Sequence, residues 1–197
     1  MRRFTRPPSS APPSISAPSI ALSSSRNRIH IPRVTAPAWY ISVAWLLLAL
    51  FAQDCLMHVL TIRNVEPNVV LVAVVWYAIR VEAWRAAAYG LAAGFALDLL
   101  TFGMSGGAWT IAMTAVAIFS STISRGFFAD SIPLVGTITF VATLVVRLIY
   151  WVVMSFEGFP GGLAVMHFHQ ALFEAVLNGL VMMAVILVNR RFDSRYA

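Results

Sequence analysis

The feature that most constrains this chain is a polar stripe inside an apolar segment, AAAYGLAAGFALDLL. Gly90, Gly94 and Asp98 recur every four residues, so on a helix they share one face. The two glycines leave room for a neighbouring helix to pack closely. An aspartate at the centre of a helix in lipid costs about 3 kcal/mol or more. The stripe therefore predicts a helix whose polar edge faces other helices in a bundle.

Composition places that bundle in a membrane. The 197 residues are 59% hydrophobic and only 11% charged, whereas soluble domains carry about 25% charged residues. A membrane span needs about 20 apolar residues. The length that follows the polar N-terminus thus predicts an all-α membrane protein with about six transmembrane helices in one bundle.

Six apolar stretches are visible along the chain. They cover residues 38–58, 67–79, 84–100, 107–124, 132–156 and 169–188. The second is short for a crossing, so we expect it to include flanking residues or to lie in a thinned bilayer. Three parts follow from this pattern: a tail over residues 1–35, a bundle over 36–192 and a short terminus over 193–197.

The charge pattern orients the bundle. All basic residues are arginines, and residues 1–35 hold six of them with no acid in a Pro/Ser-rich segment. Such a tail cannot bury enough apolar surface to fold alone, so we expect it to be disordered. Arginines also mark every second loop, which predicts that both termini are cytoplasmic. This topology explains the basic charge better than nucleic-acid binding does.

Four ionisable residues lie within the predicted spans. They are Asp54, Asp98, Arg147 and Glu174, and Asn178 shares a helix face with the last. We expect these side chains to converge at similar depth, with Arg147 paired to Asp98 or Glu174 and Asp54 near water. Two interpretations stay open. The cluster either fixes helix packing, or it lines an outward-facing cavity used in transport or proton relay.

Two short motifs could indicate catalysis or metal binding. Residues 103–106 read Gly-Met-Ser-Gly, the Gly-x-Ser-Gly pattern of rhomboid proteases, yet no histidine lies at depth to activate Ser105. His167 and His169 are two apart without an evident third ligand, and Cys55 is the chain's single cysteine. We therefore predict no catalytic, cofactor or metal site.

The residues around the stripe resemble the family of rod shape-determining protein MreD. That family shows a Pro-Asn start to one helix, here Pro67-Asn68, followed by Gly-x-x-x-Gly-Phe and Leu-Asp-Leu, here around Gly90, Gly94 and Asp98. A glycine-rich turn and another apolar helix follow. The resemblance covers about residues 38–192, and the order and spacing hold across two helices. The long N-terminal tail departs from the family pattern.

This resemblance implies a non-enzymatic scaffold of the bacterial cell-elongation complex. Members of the family bind MreC in the inner membrane and associate with MreB, the glycosyltransferase RodA and its partner transpeptidase. Their bundle is similar to the substrate-binding subunits of energy-coupling-factor vitamin transporters. The resemblance thus implies a role in positioning peptidoglycan synthesis enzymes.

Two other functions are alternatives to the scaffold. A substrate-binding subunit of a vitamin-type transporter would have a similar fold, and such subunits commonly carry Ala-x-x-x-Ala on the first helix. Here that spacing fails, because Ala44 precedes Leu48 and Ala49 precedes Gln53. An intramembrane serine protease acting through Ser105 is the remoter alternative.

Overall fold

The computed structural model describes residues 39–55, 65–101, 106–124, 131–158, 162 and 164–193. These residues form six α-helices, and Val65 is a lone bridge position. The helices are α1 (Trp39–Cys55), α2 (Val69–Ala78), α3 (Ala83–Leu100), α4 (Ala108–Ser124), α5 (Ile132–Phe156) and α6 (Ala164–Asp193). Each helix packs against the next along the chain. The all-α expectation is confirmed for this part of the chain, and the predicted tail over residues 1–35 lies outside it.

The observed boundaries of α3, α4 and α5 agree with the apolar stretches to within one residue. The prediction for α6 was wrong at both ends, because the helix begins at Ala164 and extends to Asp193 over 30 residues. Gly158, Pro160 and Gly162 gave the preceding segment a turn composition, but the turn-forming residues stop at Gly162. The helix therefore begins before His167, and both histidines lie on it.

The short helix α2 is the centre of the packing. It has 10 residues, or about 15 Å at 1.5 Å per residue, and it contacts all five other described helices. Six of its residues are buried: Val70, Leu71, Val72, Val74, Val75 and Ala78. The expected lengthening of this helix is not observed. Contacts with its neighbours, rather than added length, bury most of its residues.

The glycine face of α3 packs directly on α4. Gly90 and Gly94 are both buried. A methyl group added at Gly90 would lie 2.6 Å from the carbonyl oxygen of Met113 and 2.7 Å from Cβ of Ala117. One added at Gly94 would lie 2.5 Å from Cα of Thr110. The prediction that these glycines admit a neighbouring helix is confirmed, and α4 is that helix.

Large apolar side chains cover much of the outer surface. Examples are Trp39 at 76% exposed, Leu91 at 53% and Leu187 at 55%, on α1, α3 and α6. Extensive apolar exposure in a folded chain marks a surface that contacts something other than water. Among the described helices, α5 and α6 are long and apolar enough to cross a membrane.

Candidate functional site

A polar cavity of about 360 Å³ opens at one end of the helix bundle. It lies where the last turns of α1 and α3 meet the first turns of α2 and α4. The lining residues are Gln53, Asp54, Glu66, Asn68, Leu97, Leu100, Thr101, Trp109, Arg147 and Glu174. Residues from all six helices or their immediate flanks thus contribute, and the predicted convergence of Asp54, Arg147 and Glu174 is observed.

An ion pair between α5 and α6 forms one wall of the cavity. Nε and Nη2 of Arg147 both contact Oε2 of Glu174. Glu174 is 2% exposed and Arg147 is 27% exposed, so the carboxylate is buried while the guanidinium reaches the cavity. Of the two partners predicted for Arg147, the structure selects Glu174. A buried carboxylate requires such a partner, because removing an ion from water costs several kcal/mol.

Aromatic rings support the Arg147 side chain. Its guanidinium carbon lies 5.8 Å from the ring centre of Trp109. Trp109 packs on Tyr150 at 4.9 Å between ring centres, and Tyr150 stacks on His167 at 6.4 Å. Nε2 of His167 is 3.3 Å from the backbone carbonyl oxygen of Arg147. These contacts limit the positions that the guanidinium can take relative to Glu174.

A second polar layer joins α6 to the start of α2. The backbone N–H of Asn68 donates to Oδ1 of Asn178 at 2.8 Å, and Nδ2 of Asn178 donates to the Thr143 hydroxyl at 3.2 Å. Asn68 also caps α2, since its side-chain oxygen accepts from the Leu71 N–H at 2.9 Å. The Val69 N–H donates to Oε1 of Gln53 at 2.8 Å. Side chains thus pair with amides at this helix start that have no partner within the helix, as their burial requires.

Asp98 is held by the first turn of α4. Its Oδ1 accepts from the Trp109 N–H at 3.2 Å, and its Oδ2 accepts from the N–H and the hydroxyl of Thr110 at 2.9 and 2.6 Å. These amides belong to the positive end of the helix dipole, which favours a negative group. The carboxylate on the α3 stripe therefore caps the next helix. Its predicted alternative, pairing with Arg147, is replaced by this cap.

The cap at α4 makes a stability prediction. Replacing Asp98 with alanine is expected to lower the free energy of unfolding by about 2 kcal/mol, because at least three hydrogen bonds are lost and the part-buried amides of Trp109 and Thr110 lose their acceptor. Chemical denaturation in detergent micelles would measure the change. Asp54→Ala is the matched control, since Asp54 is exposed and should change stability by no more than about 0.5 kcal/mol. Equal losses in both variants would contradict the assignment of the cap.

The remaining predicted residues have mixed outcomes. Asp54 is exposed at the end of α1 and lines the cavity, in agreement with its expected contact with water. Pro67 precedes the α2 cap and is half-buried. Sequence reasoning missed Gln53 and Glu66 at the cavity. Their positions beside Asp54 and Pro67 were the available signal, because residues at the same ends of hairpin helices come together.

Of the two motifs considered for catalysis or metal binding, only the histidine pair is in the described part of the chain, and Ser105 lies outside it. His167 packs on Tyr150, and His169 contacts Phe173 ring to ring at 5.0 Å. No group of three histidine, cysteine or acidic side chains suited to a metal ion occurs in the part of the chain that the structure describes.

Comparison of the chain with protein-family models, with curated proteins and with solved structures yields no match.

Proposed function

We propose that this chain is a non-enzymatic scaffold of the bacterial cell-elongation complex, with the role that its resemblance to MreD implies. One observation carries the proposal: the residues that resemble the MreD pattern form contacts between helices of the bundle. Gly90 and Gly94 seat α3 on α4, Asp98 caps α4, and Asn68 caps α2 while bonding α6. A motif used in this way specifies a rigid surface, which is what a scaffold presents to its partners.

The proposed topology is six membrane-embedded helices with both termini in the cytoplasm of the inner membrane. The apolar outer surface, the long helices α5 and α6, and the arginines at alternate loops support it. In this topology the polar cavity opens to the periplasm. The short α2 reaches only part of the depth and is shielded by its neighbours.

The native cysteine tests this orientation. Cys55 is exposed at the cavity end of α1. In intact spheroplasts, a membrane-impermeant maleimide is expected to label Cys55, and Cys55→Ser should abolish the label. A Ser10→Cys change in the Cys55→Ser background moves the only thiol into the tail, where labelling should require permeabilised cells. Labelling of the tail in intact spheroplasts would reverse the proposed orientation.

The proposed partners are MreC as a direct ligand, and MreB, RodA and the partner transpeptidase as members of the complex. The helix faces and the periplasmic end of the bundle would contact MreC, and the arginine-rich tail would meet MreB. Tagged protein purified in mild detergent from its own host is therefore expected to enrich MreC. Deleting residues 2–35 should lower MreB recovery while leaving MreC recovery unchanged.

An unrelated multi-pass protein of the same membrane, carrying the same tag, controls for incomplete solubilisation. MreC recovered no better with this chain than with that control would contradict the scaffold. Loss of MreC on deletion of the tail would move the MreC contact to the cytoplasmic side.

A substrate-binding subunit of a vitamin-type transporter is the second candidate, and the cavity is the observation that favours it. Its described lining holds three carboxylates, Asp54, Glu66 and Glu174, and one guanidinium, Arg147. Such a lining would select a cationic or zwitterionic small molecule. Mass spectrometry of small molecules released from the purified protein tests this candidate. A stoichiometric ligand lost in Asp54→Asn but retained in the exposed control Glu82→Gln would favour transport over scaffolding.

A further inference from the structure

An apolar groove of about 530 Å³ runs along the outer side of α2, between α1 and α6. Four alanines, Ala49, Ala52, Ala73 and Ala184, are among its lining residues and leave it room, and the other lining side chains are bulkier. Its volume corresponds to about 18 methylene groups, if each takes the roughly 30 Å³ of a water molecule. That is the size of one acyl chain and far less than a transmembrane helix displaces.

The groove matches the depth of one membrane leaflet. Along α6 it extends from Val181 to Asn189, or about 12 Å at 1.5 Å per residue. The hydrocarbon core of a bilayer is about 30 Å thick, so one leaflet contributes about 15 Å. One end of the groove lies near the C-terminus of α6 and the C-terminal part of α2, on the side opposite the polar cavity.

Arginines mark this end of the groove. The guanidinium carbon of Arg80 lies 4.3 Å from the ring centre of Trp76, and its Nη1 donates to the Trp76 carbonyl oxygen at 2.6 Å. Trp76 itself lines the groove. Arg190 and Arg191 are exposed in the last turn of α6, directly after the lining residue Asn189. An apolar slot with cationic groups at its end is complementary to an anionic lipid.

We propose that this groove is a binding site for an anionic phospholipid, with an acyl chain between α1 and α6 and the phosphate at the arginine end. The inference rests on the proposed embedding in a membrane. It does not depend on the binding of MreC. The bound lipid would fill the space between α1 and α6, which are not among the helix pairs that pack extensively in the described part of the chain.

Native mass spectrometry of the full chain tests the site. The protein is equilibrated with equal amounts of phosphatidylglycerol and phosphatidylcholine that carry identical acyl chains, so that only the headgroup charge differs. Wild-type protein is expected to retain one phosphatidylglycerol preferentially. Removing Arg190 and Arg191 together by substitution with glutamine should reduce that preference about five-fold for each arginine.

Two further variants separate the groove from general surface charge. Ala184→Trp fills the groove from an exposed position and should abolish retention, while Ala92→Trp, exposed on α3, should not. Arg85→Gln removes an arginine that stacks on Trp84 at 5.0 Å, away from the groove, and should preserve the preference.

Equal retention of the two lipids by wild-type protein, or equal loss in the control variants, would overturn the proposal. The proposal would also be overturned if Ala184→Trp left lipid retention unchanged but caused loss of a protein partner. That result would show that a helix of the partner, and not a lipid, occupies the groove. Preferential lipid retention combined with failure to recover MreC would contradict the scaffold alone.

Discussion

Replacing Gly94 with leucine is expected to lower the free energy of unfolding by about 3 kcal/mol or more, or to prevent folding. Even the first carbon of a side chain there would meet the α4 backbone, at 2.5 Å from Cα of Thr110 and 2.8 Å from its nitrogen. Backbone cannot rotate away as a flexible side chain can, so α3 and α4 would have to separate. Overpacking of a core typically costs 1–3 kcal/mol, and occasionally more. Separation would also break the Asp98 cap on α4.

Denaturation in detergent micelles measures this effect. Gly94→Ala supplies a graded variant if the leucine does not fold, and it should still cost about 2 kcal/mol. Ala92→Leu is the matched control, because Ala92 is exposed on the same helix and should stay within about 0.5 kcal/mol of wild type. A Gly94→Ala protein as stable as wild type would show that α3 and α4 are not in close contact.

Replacing Arg147 with methionine is expected to lower the free energy of unfolding by about 2 kcal/mol. The change leaves Glu174, which is 2% exposed, without its cation. Breaking a buried pair from one side costs about 3–5 kcal/mol in soluble proteins, whereas polar contacts in membrane bundles average about 0.6 kcal/mol. The buried carboxylate argues for the larger value, and the opening of Arg147 to the cavity argues for a reduction.

Arg85→Met is the matched control for the lost charge and the added apolar side chain. Arg85 is exposed and stacks on Trp84, so its replacement should have little effect on unfolding. If both methionine variants unfold at the same denaturant concentration, the ion pair makes no specific contribution to stability.

The sequence predicted the helices well where apolar length and turn residues agree. The boundaries of α3, α4 and α5 follow from the apolar runs and the glycines between them. Gly90 and Gly94 could be assigned to a packing face because only a close neighbour explains their spacing. The extension of α6 to Ala164 could not be predicted in the same way, since residues 164–168 follow a Gly/Pro-rich segment and their packing against α5, such as His167 on Tyr150, is a long-range contact.

The sequence predicts which residues meet at the candidate site better than it predicts the hydrogen bonds that they form. The convergence of Asp54, Arg147 and Glu174 follows from the cost of leaving charges in lipid. The role of Asp98 as a helix cap does not follow, because matching acidic side chains with basic ones leaves out backbone amides as partners. The actual partners are backbone N–H groups of α4, and their position depends on the turn between the two helices.

The short α2 shows the same limit. The length of an apolar run indicates the length of a helix, but it does not show which other helices contact that helix. The cap at Asn68 is a local contact, whereas the bond from its N–H to Asn178 is long-range and cannot be read from sequence spacing. Both bonds allow a helix of 10 residues to begin within the bundle with amides at its start paired.

A double-mutant cycle on Arg147 and Glu174 in lipid nanodiscs tests the central claim, that polar side chains of this bundle are stabilised by one another across helix interfaces. The cycle combines Arg147→Met, Glu174→Leu and the double variant, with unfolding free energies measured for all four proteins. We expect a coupling of about 1–2 kcal/mol and a double variant close to wild type or only mildly destabilised, since replacing both partners removes the unpaired charge. A coupling indistinguishable from zero would show that these two side chains do not stabilise one another.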